Sequence, residues 1–193
     1  MVIKTKDVLI DVARSLFATK GFANTSMNDI ANASNKGRRT LYTYFKSKED
    51  VFYAVIQMET MTIRERLKLV TMEKKPPIDK LMNYVFVRLK EVREVVIRNG
   101  GLEAEFFQNQ NLVERVRHRL DFAERNYLKQ ILEEGKADGS MVVGDTTLAA
   151  LIIHSALKGM ELPYVRGELA ISLNANKKEI YDFLCNGFAL RKQ

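Results

Sequence analysis

Residues 25–50, TSMNDIANASNKGRRTLYTYFKSKED, read as two short helices joined by a tight turn. Ser26-x-x-Asp29 has the spacing of a capping box, with Asp in place of the usual Glu or Gln. Ile30 and Ala31 give this first short helix an inward face. The second is expected from Arg38 to Phe45, where Leu41 and Phe45, four residues apart, share one face. That pair can bury against Ile30, Leu16 and Phe17. Arg38, Arg39, Thr40, Tyr42, Thr43 and Tyr44 are left for the outward and flanking faces, and Lys46 and Lys48 follow at the next helix start. Guanidinium groups on such a helix can reach base edges in a DNA major groove, while Tyr, Thr and Lys hold the phosphates on either side. Two plainer readings stand beside this one. Tyr42 and Tyr44 can be core aromatics of an ordinary bundle, and Thr25 and Ser26 can be caps with no further role.

Charge is distributed to match. Residues 1–50 hold 9 Lys/Arg and 5 Asp/Glu, a net of +4, whereas the remaining 143 residues hold 22 and 19, a net of +3. A basic excess gathered on the segment with the two short helices is the footprint of a polyanion-binding head. A solvated basic surface is the alternative. The single cysteine, Cys185, allows no intrachain disulfide and reads as a small buried hydrophobe. No secretory signal opens the chain, so the cytoplasm is the expected compartment. The longest apolar run, Leu148 to Ile153, is far short of the roughly 20 residues a membrane span needs, and no membrane partner is expected.

Helical periodicity dominates the chain, and the expected fold class is all-α with about nine helices. Leu9, Val12, Ala13, Leu16 and Phe17 make one stripe on a first helix, with Thr5 as its N-cap and Gly21 just past its end. Phe22 can fold back on that end. A fourth helix opens near Ser47 and runs to about Met72, stopped by Pro76-Pro77. A fifth covers Ile78 to about Arg98, and a short sixth segment holds Phe106 and Phe107. A charged seventh helix runs from Leu112 to about Ala137. After a turn bracketed by Gly139 and Gly144, Asp145 caps an apolar eighth helix that stops at Pro163, and a last helix spans about Asn176 to Leu190.

Residues 8–56 resemble the DNA-binding head of the tetracycline-repressor (TetR) family of bacterial transcription regulators. The matching strings are ARSLFATKGFANTSMNDIA and TLYTYFKSKEDVF, and ILEEGKADGSM before an apolar helix agrees more weakly. The resemblance implies a three-helix head with a helix-turn-helix over residues 1–50, and a helical domain over 51–193 that dimerises and binds an effector. By position, Thr25, Ser26, Tyr42, Tyr44 and Lys48 would hold phosphates, and Arg38, Arg39 and Thr43 are the candidates for base edges. The turn departs from the family pattern. Ser34, Asn35, Lys36 and Gly37 stand where a small residue, Gly, an apolar residue and Ser are common. Asn35 can take the left-handed conformation a Gly would supply, and Arg39 stands where a small residue is common.

The resemblance further implies a homodimer on a roughly palindromic duplex, built on the last two helices through Leu148, Leu151, Ile152, Ser155, Ile180, Phe183, Leu184 and Phe188. It also implies a pocket for a partly apolar small-molecule effector, with Met82, Phe86, Phe106, Phe107, His118, Phe122, His154 and Tyr164 as candidate lining residues. Each of these also reads as a plain core residue. An effector would tilt the fourth helix and change the spacing of the two heads. A DNA-binding protein without an effector and a helical protein-interaction module stay open. No enzymatic reading gains support. His118 and His154 have no paired-ligand spacing, and neither a Gly-rich phosphate loop nor a Ser nucleophile motif occurs. No cofactor and no metal are expected.

Overall fold

A computed structural model describes residues 4–98, 110–165 and 177–186, without the side chains of 110–115, 162, 177 and 183–186. Among the described residues there are eight helices and no strand: α1 Thr5–Lys20, α2 Met27–Ala33, α3 Arg38–Tyr44, α4 Lys48–Thr71, α5 Pro77–Arg98, α6 Gln110–Ala137, α7 Thr146–Val165 and α8 Lys177–Asn186. The all-α expectation therefore holds, with a helix-turn-helix near the N-terminus. The expected segment at Phe106 and Phe107 lies outside the described residues.

Several ends follow the expected chemistry. Gly21 closes α1 at φ 81°, and Ser26 and Asp29 form the reciprocal capping box of α2. The Asp50 amide donates to Ser47 Oγ at 3.1 Å, and the Ser47 amide donates back to Asp50 at 3.2 Å, which fixes the start of α4. Asp145 accepts from the Thr147 and Leu148 amides at 2.8 and 3.0 Å.

Other ends differ. Thr5 is the first residue of α1 rather than its cap; Lys4 holds that place with no side-chain bond. Pro76-Pro77 does not stop α4, which ends at Thr71. Pro77 instead opens α5, where a missing N–H costs nothing and φ is already helical. Pro163 lies inside α7, which runs on to Val165. So near a helix end, a proline forfeits one hydrogen bond without breaking the turn.

The chain forms two compact units, residues 1–62 with 94–118 and residues 63–93 with 119–193. Their boundaries fall inside α4, α5 and α6, so these three helices are continuous from one unit into the other.

The core of the first unit joins Leu9, Ala13 and Phe17 of α1 to Ile30 and Ala31 of α2, Leu41 and Phe45 of α3, and Val51, Phe52, Val55 and Ile56 of α4. Phe17, Phe22 and Phe52 form an aromatic trio with centroids 5.0–6.0 Å apart. Phe22 thus does fold back on the end of α1. Buried Glu59 of α4 meets Arg14 of α1 at 3.6 Å and Arg98 of α5 at 2.8 Å. The core of the second unit draws on Leu67 and Val70 of α4, Leu81, Val85 and Leu89 of α5, Leu120, Leu128 and Ile131 of α6, and Ala150 and Leu157 of α7.

Candidate nucleic-acid interface and effector core

The helix-turn-helix has one buried and one exposed side, as its sequence requires. Leu41 and Phe45 are buried, at 0% and 4% exposure, and lock α3 against α1 and α2. Arg38, Arg39, Tyr42, Thr43 and Tyr44 face solvent, and Thr40 is half-buried. Tyr42 and Tyr44 are 45% and 44% exposed, so neither is a core aromatic. The Arg38 guanidinium lies 6.0 Å from the Tyr42 ring centre, a cation–π distance that steadies both side chains at the surface. Thr43 donates to the Arg39 carbonyl at 2.9 Å. No acidic residue occurs between Ile30 and Lys48, whereas Lys36, Arg38, Arg39, Lys46 and Lys48 all do. The turn and α3 therefore present one sign of charge.

The turn itself is resolved by Asn35, whose φ of 51° is the left-handed conformation that the sequence suggested. Lys36 donates its amide to the Ala31 carbonyl at 3.1 Å and keeps its side chain in solvent. The turn closes without the family's Gly and apolar residue. Asn35→Gly is therefore expected to leave stability unchanged or slightly raised. Asn35→Val, a β-branched residue forced to positive φ, is expected to lose about 1–2 kcal/mol in urea unfolding.

Three of the predicted phosphate holders have structural work. Thr25 is buried, and its hydroxyl donates to the Gly21 carbonyl at 2.8 Å. Ser26 is exposed but bound within the capping box. Lys48 is half-buried, donates to the Phe22 carbonyl at 2.7 Å, and lies 4.3 Å from the Phe22 ring centre. It fastens the start of α4 to the loop before α2. Lys46 is exposed, with its backbone amide donated to Asp50.

Within the α2 cap, hydrogen bonds from Ser26 hold the Asp29 carboxyl below the usual carboxylate range. A depressed folded pKa contributes stability above the unfolded value near pH 4 and loses it as pH falls through the folded value. Asp29→Asn should flatten that acid limb of the stability profile, read from urea midpoints between about pH 2 and 5.

Of the predicted effector residues with described side chains, Met82, Phe86, Phe122, His154 and Tyr164 belong to the second unit, and they differ in exposure. Met82 is buried and Phe86 half-buried on α5. His154 is buried on α7, while Tyr164 lies half-buried with the Arg93 guanidinium 5.8 Å from its ring. Phe122 is 58% exposed, in a groove of about 480 Å³ with Leu148 and Leu151. His118 is exposed and belongs to the first unit. Phe106 and Phe107 lie outside the described residues. Of the predicted dimer residues, Leu148, Leu151 and Ile152 are 54%, 42% and 52% exposed, Ser155 is exposed and Ile180 is half-buried. The side chains of Phe183 and Leu184, and all of Phe188, lie outside the described residues. A second, aliphatic groove of about 540 Å³ lies between the start of α5, the 140–145 turn, α7 and Tyr181 of α8.

Sequence reasoning missed the most unusual chemistry of this unit. Arg88 is fully buried, its Nε donating to Glu124 at 2.8 Å and its Nη2 to Glu161. Burial opposes the guanidinium's charge, but Glu161 and Glu124 outweigh it and hold its pKa above the ordinary arginine value. His154 Nε2 lies 3.5 Å from Asp121 and 3.8 Å from Glu124, and Lys158 meets Asp121 at 3.0 Å. Tyr84, one turn from Arg88 on α5, is buried, and burial together with the charge on Glu124 pushes its phenol well above the normal range. A readable signal existed: Arg88 interrupts the stripe Leu81, Val85, Leu89, Val92, and Glu124 interrupts Leu120, Leu128, Ile131.

The comparisons with known proteins agree with this geometry. Residues 9–55 match the family model for bacterial regulatory proteins of the tetR family. The HTH-type transcriptional regulator QacR of Staphylococcus aureus is 23% identical over 158 residues, covering 80% of this chain and 83% of that protein. A TetR/AcrR-family regulator from Thermobifida fusca superposes with a TM-score of 0.71 at 26% identity, covering 96% of this chain and 98% of that one. The Bacillus subtilis regulator FadR in complex with stearoyl-CoA also gives 0.71, at 22% identity over 94% and 98% of the two chains.

Proposed function

We propose that the chain is a TetR-family transcription regulator, a homodimeric repressor that releases its operator when a small molecule binds its second unit. The observation that carries the DNA-binding part is the two-sided character of α3: Leu41 and Phe45 buried, Arg38, Arg39, Tyr42 and Tyr44 outward. Base contact falls to Arg38, Arg39 and Thr43, while Tyr42, Tyr44 and Lys46 take phosphates. Thr25, Ser26 and Lys48 support that surface by holding the loop and the starts of α2 and α4. They reach phosphates only through the groups their internal bonds leave over. The working compartment is the cytoplasm.

Homodimerisation is supported by Leu148, Leu151 and Ile152, which leave an apolar face of α7 in solvent in the single chain. Two copies related by a two-fold axis place two recognition helices about one helical turn of DNA apart, or a multiple of it. Release requires the effector to bind the DNA-incompetent state better than the competent one. The helices α4, α5 and α6, shared by both units, are the covalent route for that coupling. FadR of Bacillus subtilis, a regulator of similar fold solved in complex with stearoyl-CoA, supports a ligand-responsive reading here.

Static light scattering, alone and with a bound duplex, tests the assembly. Two chains per particle and two per operator are expected. A monomer at micromolar concentration that binds one chain per site contradicts the reading.

A further inference from the structure

The aliphatic groove of the second unit has a buried floor and an exposed rim. Leu81 and Leu132 lie at its floor with 4% and 3% exposure, while Leu148 and Ile152 of α7 stand at its rim, both more than half exposed. Its volume of about 540 Å³ falls within the range of small-molecule sites, about 300–1,000 Å³. The turn that forms one wall is fixed by its own bonds. The Met141 amide donates to the Gly135 carbonyl at 2.9 Å, and the Ser140 amide donates to Asp138 Oδ1 at 2.9 Å. Met141 seats directly on α6 because Gly135 has no side chain; a Cβ there would meet its Cγ and Sδ at 2.6 Å. Lys136 donates to the Gly144 carbonyl at 2.8 Å and ties the other end of the turn to the same helix.

The charges at this groove are already matched. Among the described residues, no lysine, arginine or histidine lines it, and Asp145 is its one carboxylate. Asp145 Oδ1 accepts the Leu148 and Thr147 amides, which hold its pKa below the usual carboxylate range, helped by Lys129 and Lys136 nearby. An anion entering the groove would leave water without a cation to meet, and an ammonium would meet a carboxylate that is already satisfied. We infer that the groove is a binding site for an uncharged aliphatic molecule, such as a medium-chain alcohol or ester. The Ser140 and Tyr181 hydroxyls in its lining suit the one polar group of such a ligand. The inference gives a site and a ligand class to the proposed ligand response of the second unit, and it rests on that reading for what binding does to the operator. Leu148 and Ile152 also belong to the face assigned to the second copy, so the groove must stay open in the dimer.

Decanol, decanoate and decylamine test this on the full-length protein, by calorimetry and, separately, by release of a labelled operator. The alcohol is expected to bind at least about tenfold more tightly than either ion of the same chain length. A decanol analogue with a diazirine in its chain should crosslink, on irradiation, to peptides over residues 140–145 or 148–153. Ala149→Phe, which adds a ring at a half-buried position of the groove, should weaken decanol at least about tenfold while the Tm and the two-chain particle in light scattering stay unchanged. Crosslinking confined to other peptides, or full-strength binding by Ala149→Phe, would overturn the site. An ion that binds more tightly than the alcohol would overturn the ligand class. No binding by any of the three would mean a closed groove and overturn both, while release by a ligand bound elsewhere would still stand. Decanol bound in the groove with the operator still occupied would uphold the inference and remove this ligand class as the effector.

Discussion

Arg38→Ala combined with Arg39→Ala is expected to cost about 2–6 kcal/mol of operator binding, roughly thirtyfold to ten-thousandfold in Kd, since a good base-edge contact is worth about 1–3 kcal/mol. Both side chains are exposed on α3 and neither contributes to the core, so the fold should survive unchanged in thermal unfolding. The comparison that makes the result specific is Lys46→Ala. Loss of a phosphate contact weakens binding to all duplexes alike and lowers the salt slope by about one. Loss of the two arginines should instead erase the difference between operator and random duplex. An operator complex unaffected by the double substitution would remove these residues from the base contacts.

The second large effect is on stability. Arg88→Ala leaves Glu124, 0% exposed, and Glu161 without their shared guanidinium. Breaking a buried ion pair by removing one partner costs about 3–5 kcal/mol, because an uncompensated charge is left behind. The loss should depend on pH with a definite sign. The abandoned carboxyls acquire raised folded pKa values, so the deficit grows as pH rises above their unfolded value and shrinks toward pH 5, where protonation removes the charge. Urea unfolding at pH 5 and pH 8 reads it. Replacing the whole group by Arg88→Met, Glu124→Leu and Glu161→Leu should recover much of the loss, since packed apolar side chains can substitute for a buried triad. A loss of equal size at both pH values, unrecovered by the triple substitution, would mean that Arg88 acts through packing alone.

The head was legible because its signals are local. Capping at Ser26 and Asp29, the buried pair Leu41 and Phe45, and the left-handed Asn35 each depend on residues within a few positions. The fold class followed from the same kind of periodicity. Roles that depend on long-range contacts were harder. Lys48 carries the residue type of a phosphate holder, yet it reaches back 26 positions to Phe22. The prolines misled in a different way: Pro77 and Pro163 have the chemistry of breakers but sit where a helix has little to lose, at its first turn and near its last. The polar cluster of the second unit was missed for a third reason. Arg88, Glu124 and Glu161 come from three separate helices, and a charged residue in isolation reads as a solvated one. Only the interruption of an apolar stripe marked Arg88 and Glu124 as buried.

The most direct measurement is selection of bound sequences from a random duplex library by the full-length protein, with affinity for the winners followed against salt. A palindrome is predicted, its half-sites about 34–36 Å apart or a multiple of it, with affinity for the selected site well above that for random duplex at every salt concentration. Weak binding without an enriched sequence, lost steeply as salt is raised, would reduce the exposed cations of α3 to charge attraction and contradict the account.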